Sequence, residues 1–237
     1  QKFKKLSQSE HIRVDVHVRA AYNLWDELVD VVNEKHPDLL ILNWPDDFNA
    51  LRIPEEALTH PPCDIAIFGG KLPEEPQKVL VSIRGGPYAE LAIRASDAIA
   101  RSSHARVTSL HISTPGAMAR ADAPFRSLEK VLVHMPGIQR ETIETDDPLK
   151  AIIDASSRYD LLIMGATARP GLSASPLGPV GEAVMQNGTC GVIIVKTHRP
   201  APLSFESETV GGSAISVLVD KWFAENTFHA NEFNDLN

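Results

Sequence analysis

The same four residues occur twice in this chain, and the segments after each occurrence are alike. Asp38-Leu39-Leu40-Ile41 and Asp160-Leu161-Leu162-Ile163 match letter for letter. Each is followed by a short helix-like segment, with Glu56-Ala57-Leu58 resembling Glu182-Ala183-Val184. Each then leads to a second apolar run opening on a cysteine, Cys63-Asp64-Ile65-Ala66-Ile67-Phe68 or Cys190-Gly191-Val192-Ile193-Ile194-Val195. Runs of five or six apolar residues without alternation are what a strand buried on both faces requires. Strands of this kind separated by helices imply βαβ units and a parallel sheet with helices on its faces.

The repeat extends upstream of the shared four residues. Residues 11–18 alternate, with Ile12, Val14, Val16 and Val18 on one face, as a half-buried strand does. Asn23 can cap the next helix, on which Leu24, Leu28, Val31 and Val32 form a stripe. In the second copy, residues 138–145 alternate, and Asp147 caps a helix with Pro148 at its first position. Leu149, Ile152 and Ile153 of that helix face inward. Residues 12–68 and 138–195 therefore both read strand, helix, strand, helix, strand.

Between the copies, residues 78–112 add a strand (79–83), a turn at Arg84-Gly85-Gly86-Pro87, a helix with Leu91, Ala92, Ala95, Ala98 and Ile99 inward, and a strand (107–112). Residues 113–137 are ambiguous, with a helix suggested by Leu128, Val131 and Leu132. The first copy has no counterpart of residues 78–112, so it is half a domain. The expected organisation is an incomplete first unit over 1–70, a linker over 71–77 rich in Pro and Glu, and a complete domain over 78–198. A loop and an amphipathic C-terminal helix occupy 199–237, with Ile215, Leu218, Val219, Trp222 and Phe223 on one stripe. That helix packs on the domain or docks a partner or second subunit. A chain that opens at Gln1 without its first strands is expected to be cut from something longer.

Charge and composition exclude several functions. The net charge of −8, with no basic cluster beyond Lys2, Lys4 and Lys5, does not suit a surface that tracks phosphates along a nucleic acid. No apolar run reaches the length of about 18 residues that spans a bilayer. The two cysteines fall in different units and do not form a disulfide, which fits a reducing cytoplasm. The nine histidines are scattered without ligand spacing to cysteine or carboxylate, so no metal site is expected.

Residues 78–197 resemble the universal stress protein family, in the order of their elements, in the glycine-bearing loop after the fourth strand, and in the closing pattern Gly188-Thr189-Cys190-Gly191-Val192-Ile193-Ile194-Val195. Residues 12–68 resemble it more weakly. The resemblance implies an α/β fold, a doubly wound five-stranded parallel sheet, here preceded by an incomplete second copy. The ATP-binding branch of the family carries Gly, two residues, Gly, nine residues, then Gly-Ser or Gly-Thr. Here the spacing is kept as Gly165, Ala168 and Gly178-Pro179, but two residue types are not. Ala168 puts a methyl where backbone must approach phosphate, and Pro179 offers neither N–H nor hydroxyl. Arg84 stands where that branch has an aspartate near the ribose or adenine.

The resemblance thus assigns the ligand site to Arg84, Gly85, Gly165, Ala166, Thr167, Ala168, Arg169, Gly178, Pro179 and Val180. Three unfavourable changes of this kind total about 3–5 kcal/mol, or on the order of a hundredfold in affinity. One reading keeps the fold and loses ATP. Another turns the site, through Arg84 and Arg169, to a different anionic ligand such as another nucleotide. The third leaves ATP binding intact, so the only cofactor expected is ATP or another adenine nucleotide, held weakly. In the first copy, Asn43-Trp44-Pro45-Asp46-Asp47-Phe48-Asn49 has no glycine and two carboxylates, which does not suit phosphate.

No catalytic residue is expected. The His-x-Gly-His and Ser-Gly-Gly motifs of related nucleotidyl-transferring folds do not occur. The tandem with a degenerate first copy resembles the soluble tails of amino-acid permeases, antiporters and cation–chloride cotransporters. It implies a non-catalytic regulatory module, cytoplasmic and tethered to the inner face of the membrane. Its partners would be a transporter membrane domain in the same parent chain or complex and a second copy in a homodimer. A free-standing ATP-binding stress protein is the alternative. A weaker one, an accessory domain of a glycosyltransferase, rests on residues 225–233, which resemble the segment leading into some bacterial glucosyl-3-phosphoglycerate synthases.

Overall fold

A computed structural model describes residues 18–44, 61–84, 88–115, 132, 135, 137–166 and 177–198. In chain order the elements are α1 (Leu24–Lys35), β1 (Leu39–Asn43), β2 (Asp64–Gly69), β3 (Lys78–Ser82), α2 (Ala89–Ser103), β4 (Arg106–Ser113), β5 (Ile138–Glu144), α3 (Pro148–Ser156), β6 (Leu161–Gly165), α4 (Pro179–Asn187) and β7 (Gly191–Lys196). The two expected caps form. Asn23 Oδ1 accepts from Trp25 N at 3.0 Å, and Asp147 Oδ1 accepts from Lys150 N at 3.0 Å with Pro148 leading the helix.

The strands make one seven-stranded sheet in the order β1-β2-β7-β6-β3-β4-β5. This corrects the expected five-stranded, all-parallel sheet. The complete unit does supply five parallel strands, β5-β4-β3-β6-β7. The first unit joins them, because β2 pairs antiparallel with β7, from Ile65↔Lys196 to Gly69↔Val192. Each of these strands ends its own unit and is apolar between Asp64, which opens β2, and Lys196, which closes β7. Left at an edge, each would present unpaired backbone groups beside apolar side chains. Pairing them covers both edges. The β1–β2 register, Leu39↔Asp64, repeats the β6–β7 register, Leu161↔Gly191.

Antiparallel pairing also places the cysteines at opposite ends of the β2–β7 ladder, each just before its strand. Both thiols are free, Cys63 buried and Cys190 half-buried.

The core lies on both sheet faces. Val79, Val81, Leu161, Ile163, Ile193 and Val195 pack under Ala89, Ala92 and Ile93 of α2. Leu80, Leu110, Leu162, Ile65, Ile67 and Ile194 face Ile152 and Ala155 of α3 and Val184 and Met185 of α4. Two helix stripes differ from expectation. On α2 Ala92 is buried and Leu91, Ala95 and Ile99 pack against the core as expected, but Ala98 is exposed, and Ala89, Ile93 and Ser96 are buried as well. On α1 only Val32 is buried and Leu24 is exposed. The expected helix at 54–59, most of the strand at 12–18, most of the ambiguous segment 113–137 and the C-terminal helix lie outside the described residues.

Candidate functional site

The chain runs from β3 outward through β4 to β5, then returns to the other side of β3 to lay down β6 and β7. The order of strands reverses between β3 and β6. In open α/β sheets the connections leaving two such strands diverge, and a crevice forms at their carboxyl ends. The sequence-assigned residues sit at that place. Arg84 follows β3 and is exposed. Gly165 ends β6 and Ala166 is buried just beyond it. Gly178, Pro179 and Val180 start α4. Gly85, Thr167, Ala168 and Arg169 lie outside the described residues.

Each anchor has a local cause. The His111 Nδ1 donates to the Ile83 carbonyl at 3.2 Å, and Ile83 N donates to Leu110 O at 2.9 Å, so the backbone leading into Arg84 is held on two sides. Ala166 N donates to Val195 O at 2.9 Å, which carries the β6–β7 ladder one residue past the strand. Gly165 is needed for close approach: a Cβ there would lie 2.8 Å from the Tyr88 Cβ. Gly178 has φ 82 and ψ 157, a conformation reserved for glycine, and it delivers the chain to α4 with no side chain capping the helix. Pro179 is the first residue of α4, where a missing N–H costs the helix nothing. What Pro179 removes is the donor and hydroxyl that a phosphate would meet there.

Two residues absent from the sequence assignment belong to this place. Lys196, the last residue of β7, is 2 % exposed, and its ammonium lies 5.4 Å from the centroid of the Tyr88 ring. Tyr88 itself is buried, packed on Gly165, in the same cluster as Ala166 and Leu177. Among the described residues no carboxylate pairs with Lys196. Burial pushes the Lys196 ammonium below the ordinary lysine value and the Tyr88 phenol above its own. Glu90, near the start of α2, is pushed up mainly by burial and by nearby Asp64, against the pull of Arg94 at 3.6 Å. The signal for Lys196 was present in the sequence as a cation closing the apolar run Val192-Ile193-Ile194-Val195. Tyr88 had no such signal, since only the fold brings it onto Gly165.

The counterpart region of the first unit holds no such arrangement among the described residues. Trp44 is half-buried against the apolar cluster, its N–H donates to Phe68 O at 2.6 Å, and its Cβ lies under Gly69. It serves packing. Asp46 and Asp47 lie outside the described residues. Among the described residues no group of three or more His, Cys, Asp or Glu side chains gathers as metal ligands, and no helix is long and apolar enough to cross a membrane.

Three solved structures share the fold across both units. A universal stress protein from Pseudomonas aeruginosa UCBPP-PA14 superposes with TM-score 0.60 at 18 % identity, covering 83 % of this chain and 78 % of its own. One from Archaeoglobus fulgidus DSM 4304 gives 0.58 at 17 % identity, covering 82 % and 74 %. A protein of unknown function from Pseudomonas aeruginosa PAO1 gives 0.58 at 16 % identity, covering 95 % and 81 %. No curated protein matches the sequence. Residues 75–196 match the family model described as the universal stress protein family, a span that takes in the whole of the five parallel strands, the switch point and the start of α4. The chain belongs to the universal stress protein family.

Proposed function

We propose that this chain is a non-catalytic, ligand-sensing regulatory module whose crevice between β3 and β6 takes an anionic ligand, an adenine nucleotide held more weakly than by an intact phosphate loop. One observation carries the reading: a buried lysine with no carboxylate partner among the described residues, beside Gly165 and Ala166 at the topological switch point. An ammonium taken out of water without a counter-charge is costly, and a bound anion relieves that cost. The helix start at Val180 and Gly181, uncapped by any side chain, adds backbone donors on the same side.

Calorimetric titration with ATP, ADP, AMP and adenosine tests the reading. Sub-millimolar binding of the phosphorylated ligands is expected, with adenosine weaker. Ala168→Gly combined with Pro179→Ser is expected to raise ATP affinity at least tenfold. Lys196→Met is expected to remove the advantage of the phosphorylated ligands. Micromolar ATP binding indifferent to Lys196→Met, or adenosine bound as well as ATP, would refute it. Gly165→Val is a poor probe, because its side chain would collide with Tyr88 whether or not a ligand binds.

The reading extends to context. The repeated Asp-Leu-Leu-Ile segments support service as the cytoplasmic part of a membrane transporter, an amino-acid permease or a cation transporter, working as a homodimer at the inner face of the membrane. About ten apolar helices encoded upstream in the same frame, or copurification with a transporter, is the result expected. A free-standing ATP-binding stress protein is the second reading, favoured by the preserved spacing from Gly165 to Gly178. An upstream start codon just before a first strand would decide for it.

A further inference from the structure

We propose that β2 is a working part of the ligand site: Asp64 and Ile65, at its start, position and bury the Lys196 ammonium that the crevice offers to an anion. The inference rests on the anionic-ligand reading above and names the residues that give that site its charge selectivity. Neither residue belongs to the five parallel strands that form the crevice. In the β2–β7 ladder Ile65 is the partner of Lys196, so the two side chains are cross-strand neighbours on one face. Ile65 is fully buried, in the same cluster as Tyr88 and Ala166. On the other side of β7, Ala166 N donates to Val195 O at 2.9 Å, and the Tyr88 ring centroid lies 5.4 Å from the ammonium. The lysine is thus flanked by Tyr88 and Ala166 from the parallel strands and by Ile65 from β2.

The backbone at that point is held from the same place. β7 ends at Lys196, and the last residue of a strand ordinarily frays. Here the two residues beyond it are clamped. Asp64 Oδ1 accepts from Thr197 Oγ1 at 2.8 Å and from His198 N at 2.7 Å, and His198 Nδ1 donates to the Pro61 carbonyl. Asp64 precedes Ile65 and so stands on the opposite face of the sheet from Lys196. Its part is to position the lysine, not to neutralise it. A lysine closing an unclamped strand would carry its ammonium into water and attract an anion only as weakly as a surface charge does. Beside Ile65 and Tyr88 the ammonium has lost that water, and an anion in the crevice restores what burial removed. The selectivity of the crevice for charge is therefore set in part by a strand outside it.

The test reads the ammonium itself, by NMR titration of the full chain with carbon-labelled lysines, the Lys196 signal being assigned by its loss in Lys196→Met. Asp64→Ala removes the clamp and also a nearby negative charge. Loss of the charge alone would lower the Lys196 value, whereas loosening of the clamp admits water and raises it, so the two effects differ in sign. A rise toward the ordinary 10.5 is expected. Asp64→Asn, which keeps an oxygen acceptor for Thr197 and His198, should leave the value low. Ile65→Ala, which opens space beside the ammonium and leaves the clamp in place, should raise it. In calorimetry Asp64→Ala should cut the preference for ATP over adenosine about fivefold, and should cut nothing further in the Lys196→Met background. A Lys196 value left unmoved or lowered by both Asp64→Ala and Ile65→Ala would overturn the proposal. So would a loss of preference that persists in the Lys196→Met background. If the unsubstituted chain does not prefer ATP to adenosine, the anionic-ligand reading falls, and the titration still decides whether β2 holds the lysine.

Discussion

β1 and β6 are each entered through the same four letters, Asp-Leu-Leu-Ile, and end in different circumstances. In β6 the aspartate ties down the entry of a neighbouring strand, and Leu161 and Ile163 are sealed beneath a helix. In β1 the aspartate is exposed, and Leu39 and Ile41 face outward. Identical local chemistry thus yields a central strand once and an edge strand once. The difference comes from what stands beside each strand, the β3–α2 segment in one case and nothing among the described residues in the other. The antiparallel junction within the sheet has a local origin. It comes from joining two strands, β2 and β7, that are apolar in their interiors and otherwise left as edges.

That contrast can be broken by matched substitutions. The largest effect is expected for Ile163→Ala, which removes a fully buried side chain and should cost about 3–4 kcal/mol of unfolding free energy in urea. Ile41→Ala, its counterpart, should cost less than about 1 kcal/mol. Equal losses for the two would mean that the β1 face is covered in solution. Next comes Asp160→Ala, which deletes an ionised acceptor of two amides and is expected to cost about 2 kcal/mol after allowance for its exposed position. Asp38→Ala should change stability by less than about 0.5 kcal/mol. A large loss there would show that its carboxylate already has a partner.

Lys196→Met is expected to have a smaller effect and one of opposite sign. Removing a buried ammonium without a paired carboxylate should stabilise the free chain by about 1 kcal/mol near neutral pH. The sign with pH follows from burial lowering the Lys196 value in the folded state. Between that lowered value and the ordinary 10.5, the unfolded chain binds the extra proton. Stability of the unsubstituted chain should therefore rise through that interval as pH increases, and the advantage of the variant should shrink. Denaturant melts of both proteins across alkaline pH measure this. A constant difference would mean that Lys196 keeps an ordinary ammonium. A saturating nucleotide should also abolish the advantage of the variant, since an anion would supply the missing counter-charge.

Much of the fold was legible because its signals are local. The apolar runs marked β1, β2, β3, β6 and β7 to within a residue or two. Asn23 and Asp147 marked two helix starts through short-range capping. The glycine at 165 and the Gly178-Pro179 pair were placed correctly at the end of β6 and the start of α4. Less legible were the helix faces, because a stripe such as Leu91-Ala92-Ala95-Ala98-Ile99 can rotate by tens of degrees without changing its periodicity. The neighbouring sheet buries Ala89, Ile93 and Ser96 along with Ala92, and leaves Ala98 exposed. Tyr88 and Lys196 were missed because their meeting depends on residues more than a hundred positions apart.

The sequence by itself determined which segments are strands, that two of them open on the same Asp-Leu-Leu-Ile letters, and that Gly178 is followed by a proline at the start of α4. These are properties of short stretches, set by backbone sterics, side-chain periodicity and the atoms each residue carries. Only the tertiary structure decided that the copies share one sheet, that they join antiparallel, and that one aspartate is satisfied while its twin stands exposed. Those outcomes are contacts between distant segments, and a strand edge carries no letter that says which neighbour will fill it.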